Sequence, residues 1–519
     1  MATVYGSGRL GTDCRAAAEH VSRSPRSVRA RREVSAYSGQ CSVHPTSKLT
    51  PSPVSTVAKG PAAKRRRRLR CGPGSTLADQ LKAHISGRSA PASSPGPGVS
   101  SGLQMRTFNI PTSIDLFCGA GGLTLGLDAA GFRTVLGCDN WSPAVATFSA
   151  NFPGTPVWQA DIRDLTGPHL LERASLREPP ALIAGGPPCQ GFSSAGARRD
   201  GDHRNTLVAE FARLVSEVRP LSFFFENVEG FLTAGRGEFV FDLLDPLIDA
   251  GYSIVVRKVN VANWGVPQLR KRVIALGMLH GRPPFPTPTH RAWGSPGAHR
   301  VGSRLLPASP TIMDALNGLP PAADLPPGIP SGHYAARLSK ADTERIASLR
   351  PGQTMRDLPE HLWHPSYQRR ANRRVADGMP TERRGGAPAG LRRLRPDEPA
   401  KAVTSAASRE FIHPQQDRPL TLRECARLQT FPDAFHFCGV RSESSILVGN
   451  ALPPLFAQRV AEQLQRALTR TSPDRHIGGQ LVRFDVTNAE GMSPALRSVN
   501  AAVLRRYGRD EQLHFLDVG

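Results

Sequence analysis

From Thr112 to Leu279 the sequence alternates short apolar runs with stretches whose apolar residues recur at helical spacing. The runs Thr112–Phe117, Thr134–Asp139, Val157–Asp161, Ala181–Gly185 and Leu221–Glu226 read as strands, and Asn205–Val218 reads as a helix. Further strands are predicted at Ser253–Val261 and Arg272–Leu279. Such alternation predicts an α/β fold: a Rossmann-like, mostly parallel sheet covered on both faces. Open sheets of this kind bind ligands outside the carboxyl ends of their strands. Residues at those ends are therefore the first candidates for chemistry.

The segment from Asp115 to Thr124, D-L-F-C-G-A-G-G-L-T, follows the first strand and opens a helix. Its glycines let backbone approach a ligand at a helix N-terminus; a tight structural turn is the alternative. A dinucleotide fingerprint needs G-x-G-x-x-G, and Thr124 stands at the third glycine position. A dinucleotide oxidoreductase therefore fits this loop only. Asp139 and Asp161 end the next two strands, where carboxylates suit the ribose and adenine of an adenosine.

The fourth strand runs into A-G-G-P-P-C-Q-G-F-S, residues 184–193. A lone cysteine is usually a small buried hydrophobe. Cys189 instead stands on a rigid Pro-Gly loop at a strand's carboxyl end, where a nearby helix N-terminus would favour thiolate. Glu226 ends the strand Phe223-Phe224-Phe225 at the same edge. A carboxyl beside apolar residues can serve as an acid; a cap or salt bridge is the alternative. In Gln268-Leu269-Arg270-Lys271-Arg272, alternate residues of an extended segment share a face. The alternative there is a solvated charged edge.

Outside this block the texture changes. Residues 1–107 are rich in Ser, Pro, Gly, Ala and Arg and carry the run Arg65–Arg68, which predicts a basic, disordered extension. Residues 281–400 lose the alternation and are dense in Pro and in arginine pairs such as Arg392-Arg393. Ordered patterning returns over 401–470, with amphipathic helices predicted at Thr421–Thr430 and Pro453–Arg466, and 471–519 form a tail without a legible pattern. The 519-residue chain carries a net charge of +23, which favours a polyanionic partner, although an arginine bias spread over the chain would give the same sum. Its eight cysteines form no C-x-x-C pair, so no metal site is expected. No apolar run reaches the roughly 20 residues of a membrane span, and a cytoplasmic protein without a membrane partner is predicted.

Six motifs stand in order: D-L-F-C-G-A-G-G, G-G-P-P-C-Q-G-F-S, E-N-V, Q-L-R-K-R, R-E-C-A-R-L-Q-T-F-P-D (423–433) and V-G-N-A-L-P-P (448–454). Together they resemble the cytosine-5 DNA methyltransferase family of prokaryotic type, over roughly 112–279 and 403–468. The resemblance implies a catalytic domain of 108–280 and 401–470, with 281–400 in the place of a smaller target recognition domain. It implies S-adenosyl-L-methionine as methyl donor, held by Phe117, Gly119, Gly121, Asp139, Asp161, Ile162, Pro187, Leu207 and Asn450. Asp139 is a departure, since the family usually has Glu there. Cys189 matches the nucleophile, Glu226 the cytosine-binding acid and Arg272 the active-site arginine, with Arg270 beside it. The expected partner is double-stranded DNA, acted on by a monomer in the nucleoid with or without a cognate restriction endonuclease. A tRNA cytosine-5 methyltransferase of the same family and a catalytically inactive DNA-binding regulator are the competing readings. The long 281–400 segment argues against the first, and the complete motif set against the second.

Overall fold

The computed structural model describes residues 110–188, 206–291, 305–322, 332–368, 390–470, 478–486 and 493–508. The expected N-terminal extension 1–107, Cys189 and the arginine pairs at 369–370, 373–374 and 383–384 lie outside the described residues.

The chain first lays down β1 (Thr112–Leu116), α1 (Gly122–Ala129), β2 (Arg133–Asp139), α2 (Ser142–Asn151), β3 (Val157–Gln159), α3 (Gly167–Arg173) and β4 (Leu182–Gly185). It continues with α4 (Thr206–Val218), β5 (Ser222–Asn227), α5 (Glu238–Asp249), β6 (Ser253–Asn260), β7 (Gln268–Leu269) and β8 (Lys271–Met278). After these come α6 (Ile312–Leu316), α7 (Lys340–Ala347), β9 (Arg392–Arg393), β10 (Ala400–Lys401), α8 (Ala407–Glu410) and β11 (Phe411–Ile412). The last elements are α9 (Leu422–Leu428), α10 (Arg441–Asn450), α11 (Pro454–Arg470), β12 (Gln480–Asp485) and α12 (Pro494–Tyr507).

Eight strands form one sheet in the order β12-β6-β8-β5-β4-β1-β2-β3. Only β8 runs antiparallel to its neighbours. The predicted mostly parallel α/β sheet is thus present. Phe223 and Phe225 point into one apolar cluster with α4, α5 and α12, while Phe224 points into another with α1 and α11. That alternation is the two-residue period of a strand. Both faces are covered, which is why these strands read as continuous apolar runs.

Two expectations change. The helix expected to be amphipathic at Thr421–Thr430 is α9, and all seven of its residues are buried. Its polar side chains are tolerated inside because each is hydrogen-bonded: Glu424 accepts from Arg418 and from Thr421 N, and Arg423 and Arg427 donate to partners described below. The tail beyond 471, in which no pattern was legible, supplies β12 and α12, and β12 pairs in parallel with β6. In the 281–400 segment, α6 packs with α9 in a third apolar cluster. Ile346, Leu349, Met355, Leu358 and Tyr367 gather with Ile412 in a small separate one. Arg393, from one of the arginine pairs, is buried, donates to the carbonyls of Ile346, His413 and Gln416, and pairs with Asp417.

A close contact between α1 and α11 joins the two sequence blocks. A Cβ on Gly126 of α1 would lie 2.5 Å from Ala457 Cβ and 2.7 Å from the Pro454 carbonyl oxygen and Gln458 nitrogen of α11. Two of those three atoms are backbone and cannot rotate away, so overpacking must separate the helices. Gly126→Ala is therefore expected to cost about 1–3 kcal/mol of stability, read as a lower urea midpoint at unchanged slope; an unaltered midpoint would refute the packing account.

Candidate active site

The strand order places the predicted residues in a row. Along the carboxyl edge, reading β5-β4-β1-β2-β3, stand Glu226, the Gly186–Pro188 turn, the Phe117–Gly121 loop, Asp139 and, just beyond β3, Asp161. The strand order reverses between β4 and β1, the position where open α/β sheets bind ligands.

The loop after β1 is bent by residues with positive φ: Phe117 at 58°, Gly119 at 54° and Gly121 at 91°. Phe117 is the informative one, because a bulky residue holds that conformation only when its surroundings enforce it. Gly121 cannot carry a side chain, since its Cβ would lie 2.3 Å from the Phe152 ring. At Gly119, by contrast, a Cβ would meet nothing nearer than the Phe117 carbonyl oxygen at 3.9 Å, an ordinary van der Waals contact, so the backbone there is not crowded. Asp139 holds this loop: its carboxylate accepts from Gly119 N and Trp141 N, each at 2.9 Å. Burial holds its carboxyl above the ordinary aspartate range, against those hydrogen bonds.

Asp161 caps the short helical turn Ile162–Asp164 and forms a two-pronged ion pair with Arg163, at 3.0 and 2.6 Å. That guanidinium holds its carboxyl below the usual range. Ile162 and Leu207, the expected apolar contacts, are 4% and 9% exposed within the main core cluster. Pro187 is buried in the turn after β4. Asn450 ends α10 with its side chain exposed and its carbonyl turned to Arg270.

At the other end of the row, Arg272 Nε lies 2.5 Å from Glu226 Oε1, with both side chains only 12–13% exposed. The antiparallel register of β5 with β8, pairing Asn227 with Val273, brings them together. Gly186 matters here too, because a Cβ on it would lie 2.8 Å from Glu226 Oε2. A bare backbone is what lets the Pro-Pro turn reach the acid. Cys189 follows that turn by one residue and lies outside the described residues.

Arg270 is put to a different use from Arg272. It is 1% exposed, and its guanidinium donates to Val403 O at 2.7 Å, Gly449 O at 2.9 Å and Asn450 O at 3.4 Å. Gln268, fully buried, accepts from Val403 N at 2.9 Å and donates to Leu428 O at 2.8 Å and Gln429 Oε1 at 2.6 Å. Gln429 in turn donates to Val448 O at 2.5 Å. The shared face read from the Q-L-R-K-R motif is thus split: two residues clamp the returning chain and one meets the acid. The R-E-C-A-R-L-Q-T-F-P-D motif is likewise internal. Arg423 donates to the Pro432 and Phe435 carbonyls, and burial lowers its pKa to about 10. Arg427 pairs with Asp433.

Sequence reasoning missed Asp115. Its side chain is wholly buried at the end of β1, and Oδ2 accepts from Thr124 Oγ1 at 2.6 Å. The signal was the threonine in the third glycine position. Burial pushes the Asp115 carboxyl up to about 7.

A family model described as C-5 cytosine-specific DNA methylase matches residues 112–466. A type II methyltransferase of Haemophilus parahaemolyticus, M1.HphI, is 33% identical over 362 residues, 69% of this chain and 87% of that protein. Another, M.AgeI of Thalassovita gelatinovora, is 31% identical over 431 residues, covering 69% of this chain and 100% of the relative. A crystal structure from Escherichia coli, described as a prophage-encoded DNA modification methyltransferase, superposes with a TM-score of 0.53 at 26% identity. That superposition covers 69% of this chain and 100% of the other. No helix among the described residues is long and apolar enough to cross a membrane.

The Asp115 carboxyl has a testable pH signature. Its folded-state pKa lies above the reference value of 3.8, so its contribution to stability is complete below about pH 4 and is lost as pH rises to about 7. Asp115→Asn, uncharged throughout, removes that loss. The variant's stability relative to wild type is expected to climb between about pH 4 and pH 7, followed by urea titration; a constant difference would exclude the assignment.

Proposed function

Because the chain belongs to the C-5 cytosine-specific DNA methylase family, we propose that it methylates C5 of a cytosine flipped out of duplex DNA, through a covalent bond to Cys189. The observation that carries the reading is the Glu226–Arg272 pair, set at the same sheet edge as the proline turn and the glycine loop. The donor is S-adenosyl-L-methionine. The residues present fit it: an uncrowded Gly119 backbone held by the Asp139 carboxylate, with Asp161 beyond the next strand end, suits a nucleoside with ribose hydroxyls and an amino group. Phe117, Gly121, Ile162, Pro187, Leu207 and Asn450 complete that set as walls and backbone supports. When bound, the donor presents a methyl group on a sulfonium.

Cytosine C5 is too poor a nucleophile to take that methyl unaided. Attack of the Cys189 thiolate on C6 makes C5 the nucleophilic end of an enamine. Glu226 protonates or hydrogen-bonds N3, so that negative charge does not build on the ring. Arg272, already against Glu226, turns its remaining donors to the base carbonyl oxygen. After methylation, loss of the C5 proton to a base and elimination of Cys189 release 5-methylcytosine. Arg270 serves this site from within the protein, through its grip on residues 403, 449 and 450.

The base is unreachable inside a duplex and must leave the stack. We assign 281–400 as the recognition segment and 108–280 with 401–470 as the catalytic domain. The type II relatives support a place in a restriction-modification system, with duplex DNA as substrate.

Cys189→Ser is expected to abolish methylation while cofactor binding survives, because serine alkoxide is scarcely accessible at neutral pH. Transfer of labelled methyl groups to DNA at near wild-type rate would exclude the covalent route. Glu226→Gln should slow single turnover by about 10²–10⁴, and an unchanged rate would leave it a purely structural role. Exchanging 281–400 for the matching segment of a relative with a known site should move the methylated cytosines, mapped by bisulfite sequencing, to the relative's sequence. An active chimera that kept the original site would place specificity elsewhere.

A further inference from the structure

The C-terminal elements β12 and α12 lie beyond the family match, which ends at residue 466. They nonetheless reach the candidate active site's support. Glu226 is followed by two short helical turns, Glu229–Leu232 and Ala234–Gly237. The second carries three consecutive left-handed residues, Gly235 at φ 53°, Arg236 at 56° and Gly237 at 95°. Arginine disfavours that region, and such a run persists only when its surroundings over-determine it.

The surroundings come from α12. A Cβ on Gly237 would lie 2.5 Å from Val499 Cγ2, so the helix rests directly on the end of the loop. Leu496, Val499 and Val503 share a core cluster with Phe231 and Leu232 of the first turn. The helix is pinned at its other end to α5, which begins where the loop stops. The Tyr507 hydroxyl donates to Asp245, Arg506 pairs with the same carboxylate at 2.6 Å, and the Arg506 guanidinium lies 5.3 Å from the Phe241 ring centre. β12 fixes the base of this assembly by pairing with β6 from Gln480↔Ser253 to Asp485↔Arg257.

We propose that α12 is a positioning element for the reaction: through Val499 and Tyr507 it holds the 229–237 loop, and with it the carboxylate of Glu226 against Arg272. The proposal rests on the reading of Glu226 as the acid. It places function in a segment that holds none of the six motifs.

The test uses the full chain with Val499→Ala, Tyr507→Phe and the conservative Val499→Ile, each at a temperature where circular dichroism shows it folded. Val499→Ala and the double variant with Tyr507→Phe are expected to slow single-turnover methylation by about 10- to 100-fold. Affinity for S-adenosylmethionine, bound by loops on β1–β3, should be unchanged, and Val499→Ile should restore the rate. Hydrogen exchange at residues 229–237 should accelerate in the slow variants. Folded variants that methylate at wild-type rate overturn the proposal, as does a loss of cofactor affinity equal to the loss of rate. Glu226→Gln measured in parallel separates the two claims. If it is impaired while the α12 variants are not, only the bracing falls; if it is itself unimpaired, both fall.

Discussion

Val403 is gripped at both ends of its peptide, its N–H by the Gln268 amide oxygen and its carbonyl by Arg270. This grip ties the chain on its way to α9 to the strand segment that leads into β8. The next residues run so close to α10 that a Cβ on Gly449 would lie 2.3 Å from Ser405 N. An arginine buried to 1% exposure is acceptable because its guanidinium is spent on backbone carbonyls. Removing it would leave those carbonyls without donors inside the protein, which costs far more than the hydrogen bonds contribute net. Two residues along the same strand segment, Arg272 meets Glu226. The backbone that holds the chain at Val403 and the backbone that presents Arg272 to Glu226 are therefore one piece.

The central sheet was legible because its signal is local. Five strands alternate with helices, and their carboxyl ends carry Asp139, Asp161 and Glu226, so placement followed from order alone. The use of each side chain was less legible. Nothing in the residue types of Q-L-R-K-R distinguishes Arg270 from Arg272, because the difference lies in what Val403 and the end of α10 bring to the first and what β5 brings to the second. The same holds for R-L-Q-T-F-P-D, a strong family mark whose residues, Asp433 excepted, are buried. The C-terminal elements left no trace in the pattern. β12 is an edge strand with Arg483 in its middle, and α12 buries only Leu496, Val499 and Val503.

Bare backbone does much of the fitting. Gly121 admits the Phe152 ring, Gly126 admits α11, and Gly186 admits the Glu226 carboxylate. These contacts bring together the glycine loop after β1, the start of α11 and Glu226 without intervening side chains. Burial pushes the carboxyl of Asp115, on the same strand as this loop, up to about 7, with Thr124 as its donor. A threonine in that position is thus tied to the strand below it.

The pairing of β12 with β6 has a temporal side. Roughly two hundred residues separate these neighbours in the chain, which at about 5–20 residues per second is of the order of ten seconds or more of synthesis. During that interval β6 has no strand on its outer side, and an unpaired edge is a template for other chains. Of its two sheet neighbours, β6 then has only β8. The nascent enzyme therefore passes through a stage with an open sheet. Its solubility at that stage depends on crowding, temperature and the pace of the ribosome, and is decided before any DNA is met.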